Sequence, residues 1–213
     1  MNNDRVHYIN MDEYFHSSVL ISFIVQKDEY YLVFEKRSAY ISQPGEVCFP
    51  GGRFDKELDA TTKDTAVRET CEELGVKKSQ IKKVNYWGTY IAPMFTLIDV
   101  YIGLLDIQNI HDLPINQSEV EKLIILPFSY FVNNKPLAYK IHNWSYLDTF
   151  PAKDLGLPSK YHKPWKSKSR PVFVYPTDDV PIWGVTANII KKLVDQNISL
   201  QEIFKEEHNG LSF

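Results

Sequence analysis

Gly51-Gly52, fifteen intervening residues and then Arg68-Glu69-Thr70-Cys71-Glu72-Glu73-Leu74-Gly75-Val76 form the stretch that decides how this chain reads. The pattern predicts a helix over residues 62–74, stopped by Gly75. On that helix Glu69, Glu72 and Glu73 stand at i, i+3 and i+4 and share one face. Val67, Thr70, Cys71 and Leu74 form the opposite stripe, suited to a core. Three carboxylates that close repel one another. A hard divalent cation is their natural compensation, since Mg²⁺ favours carboxylate oxygens and takes phosphates as further ligands. Arg68 lies four residues before Glu72 and can pair with it. The competing reading is a solvated acidic helix face, and spacing alone leaves both open.

Outward from this helix, residues 19–25 and 30–34 are β-branched and aromatic, with the charged Lys27-Asp28-Glu29 between them, which predicts a hairpin. Pro44-Gly45 and Pro50-Gly51-Gly52 bracket a short strand over residues 46–49. Downstream, strands are expected at 84–90, 97–105 and 122–126, and Pro127 opens a short helix over 128–132. The pattern weakens between 135 and 181, where only 171–175 looks clearly extended. Helices follow at 182–194 and 200–206. The chain carries no internal repeat and no composition shift, so a single α/β domain over residues 1–213 is expected, with a C-terminal helical segment at about 182–207.

The bulk composition restricts the partners. Hydrophobic residues make up 44% and charged residues 24%, enough for an ordinary globular core. The formal net charge of −3 predicts neither a nucleic-acid footprint nor a basic membrane-binding surface. A polyanionic substrate therefore has to be met locally. Cys48 and Cys71 are not at metal-ligand spacing and suggest no disulfide framework. Met1-Asn2-Asn3-Asp4-Arg5 is followed by no apolar segment of the secretory kind, and the apolar run at 19–25 is too short to span a bilayer, so a cytoplasmic location is expected.

Arg68-Glu69-x-x-Glu72-Glu73-x-Gly75, preceded by the glycine pair, resembles the second half of the Nudix box over residues 51–76. The position where the box usually has a further glutamate is Ala60, in a longer loop, and the coenzyme A diphosphatase subgroup is similar in both respects. Three more stretches resemble that subgroup: Leu32-Val33-Phe34-Glu35-Lys36-Arg37-Ser38 leading to Phe49-Pro50-Gly51-Gly52, Asn116-Gln117-Ser118-Glu119-Val120, and Pro181-Ile182-Trp183-Gly184-Val185-Thr186-Ala187. Between Ser38 and Gly45 this chain lacks the subgroup's arginine.

The resemblance implies a Nudix-type α/β/α sandwich with a mixed sheet. It implies Mg²⁺ or Mn²⁺ held by Glu69, Glu72 and Glu73, with a backbone carbonyl near Gly51, and Arg68 orienting the glutamates. The substrate implied is a small nucleotide, coenzyme A or an acyl derivative, cleaved at its diphosphate. Another nucleoside diphosphate derivative, such as ADP-ribose, NADH or a dinucleoside polyphosphate, is the alternative, followed by a non-catalytic nucleotide-binding module. A homodimer is common in the family. Arg37, Glu46, Gly52 and Glu119 are candidate substrate contacts. Against these roles stand an Arg37–Glu35 surface pair, a solvated Glu46 and a loop carboxylate at Glu119. Trp183-Gly184 reads as a packing and capping device. Lys160, His162, Lys163, Lys166, Lys168 and Arg170, with Tyr161 and Trp165 interleaved, are either a solvated loop or a site for a base and a phosphate.

Overall fold

The computed structural model describes residues 10–93, 95–145, 148–166 and 168–204. Strands β1 (Phe15–Gln26) and β2 (Glu29–Arg37) form the expected hairpin. Lys27 and Asp28, both at positive φ, make the tight turn between them. The short strands β3 (Val47–Cys48) and β4 (Gly51–Arg53) follow, then helix α1 (Thr62–Leu74), then β5 (Ile81–Ala92), β6 (Thr96–Leu105) and β7 (Val120–Pro127). These strands build one seven-stranded sheet. It is mixed: β1 runs parallel to β6, while β1–β2, β1–β4, β2–β3, β2–β7 and β5–β6 are antiparallel.

Alternation along the central strands explains the layers. Leu20 and Ile24 of β1, Val33 of β2 and Tyr101 of β6 pack on one face against Ala66, Val67 and Leu74 of α1. Ile21 and Phe23, Leu32 and Phe34, and Val100 and Ile102 point to the other face. There they meet Phe131 of α2 (Phe128–Asn133) and Ile189, Ile190 and Leu193 of α3 (Gly184–Asp195). A strand buried on both sides reads as a continuous apolar run, which is why 19–25 does not alternate in the sequence. Helix α1 is delimited as its sequence predicts. Thr61 and Asp64 form a reciprocal capping box at its start, and Gly75 at φ +70° ends it in the left-handed region.

The weakly patterned region differs from expectation. Besides β11 (Arg170–Tyr175), it contains β8 (Leu137–Ile141), β9 (Trp144–Ser145) and β10 (Trp165–Lys166). Strands β8 and β11 join β12 (Ile182–Trp183) in a three-stranded sheet. Cross-strand pairing makes β8, whose residues are nearly all exposed and so carry no alternation signal. Ile182 and Trp183 are strand, and the helix starts at Gly184. The packing role expected of Trp183 falls to Ile182, which is fully buried, whereas Trp183 is 44% exposed and makes no side-chain cap bond. The last helix, α4 (Leu200–Ile203), is shorter than expected, and the remainder of that segment, from residue 205 onward, lies outside the described residues.

Candidate active site

Arg68 is the mechanical centre of the site. Its Nε and Nη2 donate to the two carboxylate oxygens of Asp59 at 3.0 and 2.9 Å. Its Nη1 donates to Glu69 at 2.9 Å and to Glu72 at 3.0 Å, the latter being the i, i+4 pair expected from spacing. Asp59 is buried and also accepts from the Thr65 hydroxyl at 2.9 Å. The Arg68 guanidinium holds the Asp59 carboxyl below its ordinary value. A planar fork anchored on a buried carboxylate can aim two further carboxylates at once.

The three glutamates lie on one side of α1 but differ in burial. Glu73 is buried, Glu69 is half-buried and Glu72 is exposed. The helical turn explains this: Glu73 sits roughly 40° from Glu69 toward the apolar stripe, and Glu72 roughly 60° the other way. Glu73 Oε2 accepts the Gly51 backbone N–H at 2.9 Å, so the loop touches the glutamate directly. Burial pushes the Glu73 carboxyl far above the usual carboxylate range, and Glu35, Glu69 and Glu119 add to that push by charge. Glu69 is raised too, first by burial, while Arg68 opposes the shift.

The glycine pair determines how close the strand and helix come. A Cβ on Gly52 would lie 2.3 Å from Glu69 Oε1, and one on Gly51 would lie 2.3 Å from the Ser18 carbonyl. Glycine at 52 therefore admits the Glu69 carboxylate, and glycine at 51 admits β1.

The remaining candidates separate. Glu119 is half-buried and its charge acts on Glu35, Glu69 and Glu73, so it belongs to the constellation. Arg37 does not form a surface pair with Glu35, because Glu35 is fully buried. Arg37 Nε instead donates to the Ser42 carbonyl at 2.9 Å, and its Nη1 lies 4.0 Å from Cys48 Sγ. Glu46 is half-buried between Gly45 and the buried Val47, and its carbonyl accepts from Arg37 N. Of the basic stretch, Tyr161, His162 and Lys163 line a cavity of about 390 Å³ with Phe150 and Lys153, while Arg170 belongs to β11. Both cysteines are free.

Among the described residues, no three acidic, histidine or cysteine side chains are already gathered around one point suited to an ion. Arg68 holds Glu69 and Glu72, and Gly51 holds Glu73, so gathering them takes side-chain rotation. The donor set nonetheless fits a hard cation. It consists of carboxylate oxygens partly withdrawn from water and mutually repelling. No helix among the described residues is long and apolar enough to cross a membrane.

The NUDIX domain family model matches residues 14–145, more than half of the chain. The chain belongs to this family. The Nudix chain is 35% identical over 117 residues to the peroxisomal coenzyme A diphosphatase NUDT7 of Mus musculus, covering 54% of this chain and 48% of the relative. It thus spans about half the length of that relative. It is 28% identical over 183 residues to the uncharacterized Nudix hydrolase NudL of Photorhabdus laumondii, covering 85% of this chain and 84% of the other. Among solved structures, a MutT/nudix family protein from Enterococcus faecalis is similar at 14% identity and a TM-score of 0.49, covering 85% of this chain and 62% of that one.

Two residues of this Nudix site were not legible as such in the sequence. Asp59 lies in the loop before α1, nine residues from Arg68, where no periodicity relates them. Glu35 lies on the α1 face of β2 with Val33, in a strand covered on both sides, where a polar residue gives no outward or inward signal.

Proposed function

We propose that this chain is a divalent-metal-dependent diphosphatase that hydrolyses coenzyme A or acyl-coenzyme A to 3′,5′-ADP and (acyl) 4′-phosphopantetheine. The observation that carries the chemistry is the carboxylate constellation around Glu73, with Arg68 locked on Asp59 and directing Glu69 and Glu72. The substrate class rests on similarity to the mouse diphosphatase and on the subgroup stretches at 32–52, 116–128 and 181–187.

Glu69, Glu72 and Glu73, with the Gly51 carbonyl, would hold Mg²⁺ or Mn²⁺. The bound ion supplies an acidified water and neutralises charge developing on the diphosphate. Arg68 orients Glu69 and Glu72. Gly52 gives Glu69 room beside the strand. Arg37, at the end of β2, offers a fork suited to a phosphate once it leaves Ser42. Glu46 and Glu119 lie near the same strand ends, since Arg37 N bonds the Glu46 carbonyl and Ser38 N the Glu119 carbonyl. In the net reaction a water oxygen bonds one phosphorus, the bridging P–O bond breaks, and the bridging oxygen leaves on the other phosphate. A cytoplasmic protein of one domain, acting on a small nucleotide, completes the reading.

The absence of an arginine between Ser38 and Gly45 favours a second reading, a Nudix enzyme for ADP-ribose, NADH or a dinucleoside polyphosphate. An endpoint assay of purified protein with Mg²⁺ or Mn²⁺ against all four substrate types, products identified by mass spectrometry, separates the two. Release of 4′-phosphopantetheine well above other cleavage supports the first. Cleavage of another substrate with coenzyme A untouched replaces it with the second. No cleavage of any substrate discards both in favour of a binding module.

A further inference from the structure

Glu35 has no part in the chemistry above, yet it is the most deeply buried carboxylate near it, fully excluded from solvent. It comes from β2, not from α1 or its loop, and it projects on the face that α1 covers, in line with Val33. One oxygen, Oε1, accepts from the Cys48 thiol at 3.2 Å. The other, Oε2, is buried and accepts from no N–H, O–H or S–H donor among the described residues, while the Glu73 carboxyl lies within hydrogen-bonding reach of Glu35. A buried carboxylate oxygen that faces another carboxyl and no fixed donor can replace its lost hydration only with a shared proton or a cation. Among the described residues no cation pairs with it either: Arg37, which acts on it by charge, spends its Nε on Ser42 and reaches Cys48 with Nη1.

The groups acting on Glu35 include Glu73 and Glu119, and those acting on Glu73 include Glu35, Glu69 and Glu119. The unsatisfied oxygen therefore belongs to the same carboxylate group as the α1 glutamates. We propose that Glu35 is an additional carboxylate ligand of the divalent cation, reaching from β2 the ion that Glu69 and Glu73 reach from α1. The inference rests on the metal-dependent reading above. Cys48 holds Oε1 and leaves Oε2 free for the ion. The alternative is a purely structural acid pair, in which Glu35 and Glu73 share one proton and need no metal.

The test is direct Mn²⁺ binding, followed by the electron paramagnetic resonance signal of free Mn²⁺, on the full chain without substrate. Wild type, Glu35→Gln and Glu35→Asp are compared, with circular dichroism to check folding. Glutamine keeps size and hydrogen-bonding capacity and removes the charge. A tenfold or greater loss of Mn²⁺ affinity in Glu35→Gln, with Glu35→Asp intermediate, supports the ligand role. Wild-type affinity and stoichiometry in Glu35→Gln overturn it and leave the metal-dependent reading standing. If Glu35→Gln does not fold, wild-type affinity in Glu35→Asp overturns it, because the shorter side chain withdraws the carboxylate from the ion. No Mn²⁺ binding by the wild type overturns both readings.

Discussion

Asp59 and Glu73 are both buried carboxylates, and opposite environments give them opposite roles. Asp59 is neutralised by a bidentate arginine, so its charge stabilises the fold. Replacing it by Asn is expected to cost roughly 1–3 kcal/mol at pH 7, discounted because Arg68 is partly solvated and keeps two other partners. Because Arg68 depresses the folded-state value of Asp59, its contribution is complete above the ordinary Asp value of 3.8 and is lost as pH falls below it. Urea unfolding of wild type and Asp59→Asn at pH 7 and near pH 3 checks this: the gap in stability must shrink on acidification. Glu73 faces other carboxylates, so its charge opposes folding when no cation is present. Glu73→Gln is expected to lower kcat by about 100-fold or more while leaving the thermal midpoint in EDTA unchanged or raised. A variant turning over near the wild-type rate would remove Glu73 from the site.

At the scale of elements, the approach of β4 to β1 and α1 sets the site. The two glycines of β4 sit side by side and do different things. Gly51→Ala meets backbone, the Ser18 carbonyl at 2.3 Å and Val19 Cα at 2.7 Å, so β1 and β4 must separate. A loss of about 2 kcal/mol or more is expected, read from chemical denaturation. Gly52→Ala meets only the carboxylate end of Glu69, which can swing aside. That variant is expected to melt near wild type yet lose at least about tenfold in kcat, because Glu69 is displaced from where it works. Equal melting of the two variants would contradict this division. The hairpin and α1 are the elements whose ends the sequence marks most clearly. Lys27-Asp28 form the turn, Thr61 and Asp64 form the capping box, and Gly75 ends the helix, all through contacts a few residues apart.

Across the whole molecule, a single apolar cluster joins the sheet to the C-terminal segment. Ile21, Phe23 and Phe34 of the β1–β2 hairpin share it with Tyr175, Ile182, Ile189, Ile190 and Leu193. The segment beyond residue 145, outside the stretch that the family model matches, therefore buries its side chains in the same core as the sheet. Unfolding is expected to be a single transition, coincident by near- and far-ultraviolet circular dichroism. Leu193→Ala, at a fully buried position, should lower that whole transition by about 2–5 kcal/mol. Two separated transitions, with only the later one sensitive to Leu193, would show that the C-terminal segment folds by itself.

The parts governed by short-range rules are legible along the chain. The hairpin, α1 with its two ends, the i, i+4 link from Arg68 to Glu72 and the apolar stripe through Val67, Thr70 and Leu74 all follow from local periodicity and capping. The depth at which each glutamate lies is a product of packing. Helical spacing ranks Glu73 nearest the apolar stripe, but how far it is buried depends on where Gly51 docks against α1. The tertiary structure likewise brought in Asp59 from a loop and Glu35 from β2. It also made β8 and β12 strands through cross-strand hydrogen bonds. No local pattern encodes these pairings, because their partners lie far along the chain and come together only when the sheet closes on its helices.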